Sequence, residues 1–133
     1  MNTYKKPIFL RLGALLGALA VIAGAFGAHA LEGQLDAGQM DTFQIAVRYQ
    51  FYHALALLAV SLLQQFGHKK WLLWSGWLFF AGILCFSGSL YLLTFRESLT
   101  LALNWLGPVT PLGGFLFILA WLALLGSTLQ FRE

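Results

Sequence analysis

Apolar residues along the chain fall into four long runs, at about residues 8–30, 43–66, 71–94 and 104–130. Each run is long enough to cross the hydrocarbon core of a bilayer as a helix, which takes about 20 residues. Because backbone N–H and C=O groups cannot stay unpaired in lipid, the runs should be α-helical. The pattern therefore predicts an all-α membrane protein, in which residues 1–133 form one transmembrane domain built as a left-handed, antiparallel four-helix bundle.

The polar segments carry signals for where two of these helices begin. Asp41 followed by Gln44 has the spacing of a capping box, which predicts a helix start close to Asp41. Thr110 followed by Pro111 predicts an N-cap and a first-turn proline. Residues 98–109 are then either a short interfacial segment or part of a kinked fourth helix.

Basic residues are distributed unequally between the two ends of these helices. When four spans alternate in direction, one side of the membrane receives Lys5, Lys6, Arg11, Lys69, Lys70 and Arg132. The other side receives Arg96, together with an acidic loop over residues 31–41. Because basic residues near span ends stay on the cytoplasmic side, this bias predicts that both termini are cytoplasmic.

The composition agrees with a membrane protein. Apolar residues make up 59% of the chain and charged residues only 10%, whereas soluble domains carry about 25% charge. The net charge of +3 comes from basic residues scattered at segment ends, which disfavours a nucleic-acid surface. Cys85 is the one cysteine, which excludes a disulfide framework within the chain.

Polar side chains inside the predicted spans concentrate in the half of the membrane that faces the 31–41 loop, called the outer half below. With a midplane near Leu55 and Gly82, His53 lies about 3 Å, Ser87 about 7 Å and Arg48 about 10 Å outward of it. The candidate binding residues of this outer-half cluster are His29, Arg48, Gln50, His53, Ser87, Ser89 and Thr110.

Two interpretations of the outer-half cluster are open from the sequence. Unpaired polar groups are costly in a membrane, so these side chains should turn inward. There they form either a pocket open to the outer side or a hydrogen-bonded packing core without a ligand. Arg48 has no carboxylate inside any span, so it either extends to outer phosphates or Asp41, or binds an anion near Pro111.

The spans lack the residue types on which most membrane enzymes depend. They contain no Asp or Glu, which excludes a carboxylate proton relay or metal site there. A bis-histidine haem on His29 and His53 is excluded because these residues differ in depth by about 12 Å. Ser87 or Ser89 beside His53 is weak evidence for a nucleophile and its base. We therefore expect no cofactor, no metal and no enzymatic activity.

Small residues are placed for close helix packing. A stripe on the first helix is expected to pack inside the bundle rather than form a homodimer face; it consists of Gly13, Gly17, Ala20, Gly24 and Ala28. Gly88, between two serines, is expected to be a further close contact.

Four motifs, one in each predicted helix, resemble a known family. They are Gly24-Ala25-Phe26-Gly27-Ala28-His29, Tyr49-Gln50 with His53, Phe86-Ser87-Gly88-Ser89-Leu90-Tyr91, and Thr110-Pro111 with Gly113-Gly114 and Trp121. In this order, across essentially the whole chain, they resemble the small bacterial inner-membrane proteins of domain-of-unknown-function family 423, relatives of eukaryotic transmembrane protein 256. The resemblance implies a multi-pass protein of the bacterial inner membrane, and it implies no catalytic residue.

These predictions combine into a leading function and an alternative. We expect a non-enzymatic binding or accessory protein whose outer-half cluster holds a lipid headgroup, a small ligand or a partner protein. The alternative is a channel or transporter for a small solute or anion, formed by an oligomer because the inner half of one chain is nearly all apolar. The expected partners are membrane lipids, with a partner membrane protein or self-association as further options, and no nucleic acid.

Overall fold

The computed structural model describes residues 7–67, 70–100 and 102–129. In these residues the chain forms four helices that are long and apolar enough to cross a membrane: α1 (Ile8–Leu31), α2 (Ala37–Phe66), α3 (Lys70–Thr94) and α4 (Asn104–Leu129). The predicted all-helical fold with four apolar spans is therefore confirmed. Of the basic residues behind the orientation prediction, Lys5, Lys6, Lys69 and Arg132 lie outside the described residues.

α1 changes its hydrogen-bonding pattern near its C-terminal end. It is α-helical over Ile8–Ile22, forms a π-helical turn over Ala23–Gly27 and ends with Ala28–Leu31. The loop to α2 is short, and Gly33 adopts a φ of 78° in it, a conformation that glycine reaches without strain.

The small-residue stripe of α1 faces α2. A Cβ added at Gly13 would lie 2.9 Å from the carbonyl oxygen of Ala54, and a Cβ added at Gly24 would lie 3.2 Å from Cγ1 of Val47. Both separations are shorter than ordinary van der Waals contact, so the absent side chains set how closely the two helices approach.

α2 begins at Ala37, six residues before the predicted start at residue 43, and the predicted Asp41–Gln44 cap is wrong. The capping box is formed by Asp36 and Gln39 instead: the Gln39 N–H donates to Asp36 Oδ1 at 2.8 Å, and the Asp36 N–H donates to Gln39 Oε1 at 3.0 Å. Asp41 lies inside the helix. Residues 37–42 include three polar side chains, Gln39, Asp41 and Thr42, so the apolar pattern starts later than the helix does.

Two short pieces of helix lie between the end of α3 and the α-helical part of α4. Arg96–Leu99 forms one α-helical turn and Asn104–Leu106 forms a 3₁₀ turn. The predicted N-cap at Thr110 is wrong, because the α-helical part of α4 already begins at Val109 and the Leu112 N–H bonds to the Pro108 carbonyl oxygen at 3.3 Å. Pro108 stands just ahead of the helix, where a residue without an N–H loses no hydrogen bond.

Sequence neighbours are also packing neighbours: α1 packs on α2, α2 on α3 and α3 on α4. The fully buried apolar core includes Phe9, Leu57, Leu72 and Phe79. α3 and α4 approach each other closely at Gly113, where an added Cβ would collide with the backbone of Phe86.

Gly88 is not a packing contact, contrary to expectation. A Cβ added there would meet no atom within 4 Å in the described part of the chain. The motif Ser87-Gly88-Ser89 turns its two serines toward other helices, which leaves the glycine on the side of α3 where α1 stays at a distance.

Candidate functional site

The seven candidate residues divide into an inward group and an outward group. Those turned into the bundle, buried or half-buried, are Gln50, His53, Ser87, Ser89 and Thr110. Arg48 and His29 are exposed. The seven residues, which were grouped by their predicted depth, therefore lie on different faces of their helices.

Gln50 connects three helices. Its Nε2 donates to the carbonyl oxygen of Leu16 in α1 at 2.8 Å, and its Oε1 accepts from the hydroxyl of Tyr91 in α3 at 2.8 Å. Gln50 is 5% exposed, so both ends of the carboxamide must find partners inside the protein. These two bonds supply them.

His53 is held by contacts on both ring nitrogens and on one ring face. Nδ1 lies 2.6 Å from the carbonyl oxygen of Tyr49, and the indole N–H of Trp121 donates to Nε2 at 3.3 Å. A carbonyl only accepts and an indole only donates, so the ring is neutral with its proton on Nδ1. Both ring nitrogens of His53 are therefore engaged in hydrogen bonds within the protein.

Two of the serines of α3, Ser87 and Ser89, bond to neighbouring helices. Ser87 donates to the carbonyl oxygen of Ala46 in α2 at 2.7 Å. Ser89 donates to the carbonyl oxygen of Phe86 at 2.9 Å and lies 2.6 Å from the hydroxyl of Thr110 in α4. Since the single proton of Ser89 is already used, Thr110 is the donor of that pair. Neither serine bonds to His53.

The inward group is thus a set of fully paired interhelical links. In the described residues, every buried side-chain nitrogen or oxygen has a hydrogen-bond partner. Of the two interpretations left open by the sequence, this arrangement matches the hydrogen-bonded packing core.

Arg48 and His29 stand apart from these links. The Nη2 of Arg48 donates to Oε1 of Gln44 at 3.3 Å, one helical turn toward the start of α2. His29 is exposed in the last turn of α1.

An open groove lies between α1 and α3, with α2 as its floor, and is called the α1–α3 groove below. Its volume is about 410 Å³. Leu16 and Leu19 line one side, Gly88 and Phe95 the other, and Phe43 and Gln50 the floor. The groove exists because α1 and α3 are not packing neighbours here and because Gly88 has no side chain to fill the space.

The sequence did not identify three residues that take part in the links. Tyr91 and Trp121 stood in the motifs, but nothing in their spacing showed that they bond to Gln50 and His53. Ser75, in the inner half that is nearly all apolar by sequence, is buried and donates to the carbonyl oxygen of Ala120 in α4 at 2.9 Å.

Comparison with known proteins agrees with the motifs. A family model described as "Protein of unknown function (DUF423)" matches residues 23–114. The chain is 45% identical over 124 residues to a UPF0382 membrane protein of Staphylococcus epidermidis, with 93% of this chain and 97% of the relative covered. It is 39% identical over 131 residues to the UPF0382 membrane protein YwdK of Bacillus subtilis, with 93% and 98% covered. No solved structure matches.

Proposed function

The chain belongs to the DUF423 family of membrane proteins, and we propose that it is a non-enzymatic accessory protein of the bacterial cell membrane whose α1–α3 groove accommodates a lipid acyl chain. The observation that carries this proposal is the groove itself. Its walls are mainly apolar and it opens where a lipid-facing surface is expected, so within a bilayer a hydrocarbon chain is the natural occupant.

The dimensions of the groove support this occupant. From Ile83 to Phe95, both of which line it, α3 rises by about 18 Å, which is close to the roughly 15 Å thickness of one leaflet's hydrocarbon. A volume of about 410 Å³ also falls within the range of about 300–1,000 Å³ that is typical of ligand sites.

The topology proposed with this function is an antiparallel bundle with both termini in the cytoplasm. The links between α3 and α4 support the antiparallel arrangement, because Ser75 pairs with Ala120 whereas the later Ser89 pairs with the earlier Thr110. The bias of basic residues supports the orientation. The groove would then open to the outer leaflet.

The paired state of the polar core supports a non-enzymatic role. Catalysis and solute permeation both need polar groups that a substrate or a solute can reach. The buried polar atoms of the described residues are instead bonded to other protein atoms. This disfavours a conduit through a single chain.

Filling the groove tests the proposal. Gly88→Phe places a ring in the open space, and Leu92→Phe adds a ring at an exposed position of the same helix that does not line the groove. After reconstitution with phosphatidylethanolamine and phosphatidylglycerol and extraction in mild detergent, native mass spectrometry counts the retained lipids. We expect Gly88→Phe to retain one lipid fewer than both the wild type and Leu92→Phe. Equal lipid counts in the three folded proteins would refute the groove as a lipid site.

A further inference from the structure

An arginine lies on the lipid-facing side of α2, away from the groove. Arg48 is exposed, and around the helix axis it stands about 140° from Phe43, which forms part of the groove floor. Its guanidinium bonds to the side chain of Gln44, one turn nearer the start of α2. Tyr52, one turn further into the span, is 55% exposed on the same face.

The level of this guanidinium in the membrane follows from the packing of α2 on α3. Ser87 bonds to Ala46, so these two residues lie at one level. In the antiparallel arrangement proposed above, Gln44 is two residues outward of that level. The guanidinium bonds to Gln44 and so lies near the level of that residue. Thr94, at the outer end of α3, is seven residues outward of Ser87, which places the guanidinium about 7 Å inward of Thr94.

The length of α3 fixes the hydrocarbon boundary. α3 has 25 residues and is about 37 Å long, which exceeds a hydrocarbon core of about 30 Å by roughly 3–4 Å at each end. The guanidinium thus lies about 4 Å beneath the outer boundary of the hydrocarbon. A lipid phosphate can reach this depth with a small local displacement of the headgroup.

A cation at this depth requires an anionic partner. The guanidinium group has five N–H donors, and one of them bonds to Gln44. Because the Gln44 side chain is neutral, this contact does not neutralise the positive charge of Arg48. Charged groups facing lipid are costly unless paired, and arginine bonds to phosphate through two parallel N–H donors. We propose that Arg48 and Gln44 form a phosphate-binding site on the lipid-facing side of α2, occupied by the phosphodiester of an outer-leaflet phospholipid.

The lipid-binding test compares phosphatidylglycerol with diacylglycerol, which lacks the phosphate. Binding to the delipidated protein in detergent is measured by native mass spectrometry for the wild type, Arg48→Gln, Arg48→Lys and Arg96→Gln. Arg96 is an exposed arginine just beyond α3 and controls for the loss of one positive charge. We expect Arg48→Gln to bind phosphatidylglycerol about tenfold more weakly, as for loss of a hydrogen bond to a charged group, Arg48→Lys to be intermediate, and Arg96→Gln to match the wild type.

A second experiment distinguishes binding of a lipid phosphate from binding of free phosphate. Inorganic phosphate is titrated into the lipid-free wild type and Arg48→Gln, and the melting temperature is recorded. Stabilisation of the wild type alone by inorganic phosphate, without any difference in phosphatidylglycerol binding, would assign the site to free phosphate and reject the lipid source. Equal binding of phosphatidylglycerol by the wild type and Arg48→Gln, without that stabilisation, would overturn the site. Gly88→Phe should lower the number of bound phosphatidylglycerol molecules by one, whereas adding Arg48→Gln to it should weaken the remaining binding by the same factor as in the wild type. Failure of the groove proposal and failure of this one are therefore distinguishable.

Discussion

Phe117 of α4 stacks on His53 of α2, with ring centroids 3.5 Å apart and ring planes 5° apart. The same imidazole bonds to Tyr49 and Trp121. Since α4 packs mainly on α3, while α2 packs on α1 and α3, this one side chain provides a direct connection between α2 and α4. His53 is therefore a structural link, and its replacement should be measurable as a loss of stability.

Replacing His53 separates the stacking contact from the hydrogen bonds. His53→Phe keeps a ring against Phe117 but leaves the indole N–H of Trp121 without its acceptor, and His53→Ala removes both contacts. A donor left unpaired away from water costs about 1–3 kcal/mol, so both variants should melt below the wild type in detergent, His53→Ala further below than His53→Phe. Wild-type melting temperatures in both would mean that the link contributes nothing to stability.

The bond between Gln50 and Tyr91 can be measured with a double-mutant cycle. Gln50→Leu, Tyr91→Phe and the double variant are compared by unfolding in detergent. Interhelical hydrogen bonds in membrane proteins contribute about 0.6 kcal/mol on average and about 1.7 kcal/mol at most. We expect a coupling energy in this range, and strictly additive effects would contradict the bond.

Two glycines of the bundle should respond oppositely to enlargement. Gly113→Leu drives a side chain into the backbone of Phe86 and should separate α3 from α4, with a clear loss of melting temperature. Gly88→Leu meets open space and should be tolerated. The comparison needs only thermal unfolding of the two variants in one detergent. A larger loss in Gly88→Leu would mean that the α1–α3 groove is closed in the folded protein.

The start of α2 predicts different effects for two aspartates. Asp36→Ala removes the N-cap acceptor of the Gln39 N–H and should cost about 1 kcal/mol. Asp41→Ala, at an exposed position inside the helix, is the matched control and should have little effect. Denaturant unfolding of both variants measures the difference, and equal losses would speak against the observed helix start.

The orientation can be tested with single cysteines in a Cys85→Ser background. Gln34→Cys places a thiol in the exposed loop between α1 and α2, and Gln65→Cys places one at the exposed end of α2. An impermeant thiol reagent added to intact cells should label the first and not the second. The reverse labelling pattern would place both termini outside.

The four spans were predictable because a helix in lipid must be apolar over a fixed length. The helix ends were less predictable, because they depend on side-chain contacts outside the apolar pattern. Asp36 and Asp41 are both followed by a glutamine three residues later, and the sequence alone does not distinguish the two boxes. In the structure the N-cap is Asp36, whose extended backbone allows its carboxylate to accept a hydrogen bond from the Gln39 N–H.

The position of each candidate residue along its own helix was predictable, whereas the direction of its side chain was not. Depth follows from counting residues along a helix, whereas the direction of a side chain depends on which neighbour packs against each face. Gln50, His53 and Ser87 turn inward as expected. Arg48 lies about 6 Å inward of Ser89, because Ser87 is level with Ala46. Its side chain faces away from the bundle, because α1 and α3 pack on other faces of α2.

Several interhelical links share a property with consequences for sequence divergence. Ser87, Ser75 and Gln50 each donate to a backbone carbonyl, at Ala46, Ala120 and Leu16 respectively. A carbonyl is present whatever residue carries it, so the accepting position is free to vary chemically as long as its side chain stays small enough to fit. The donating position has no such freedom. Selection on each of these contacts therefore acts on the donating residue only. Substitutions at the accepting position do not require a compensating substitution at the donor.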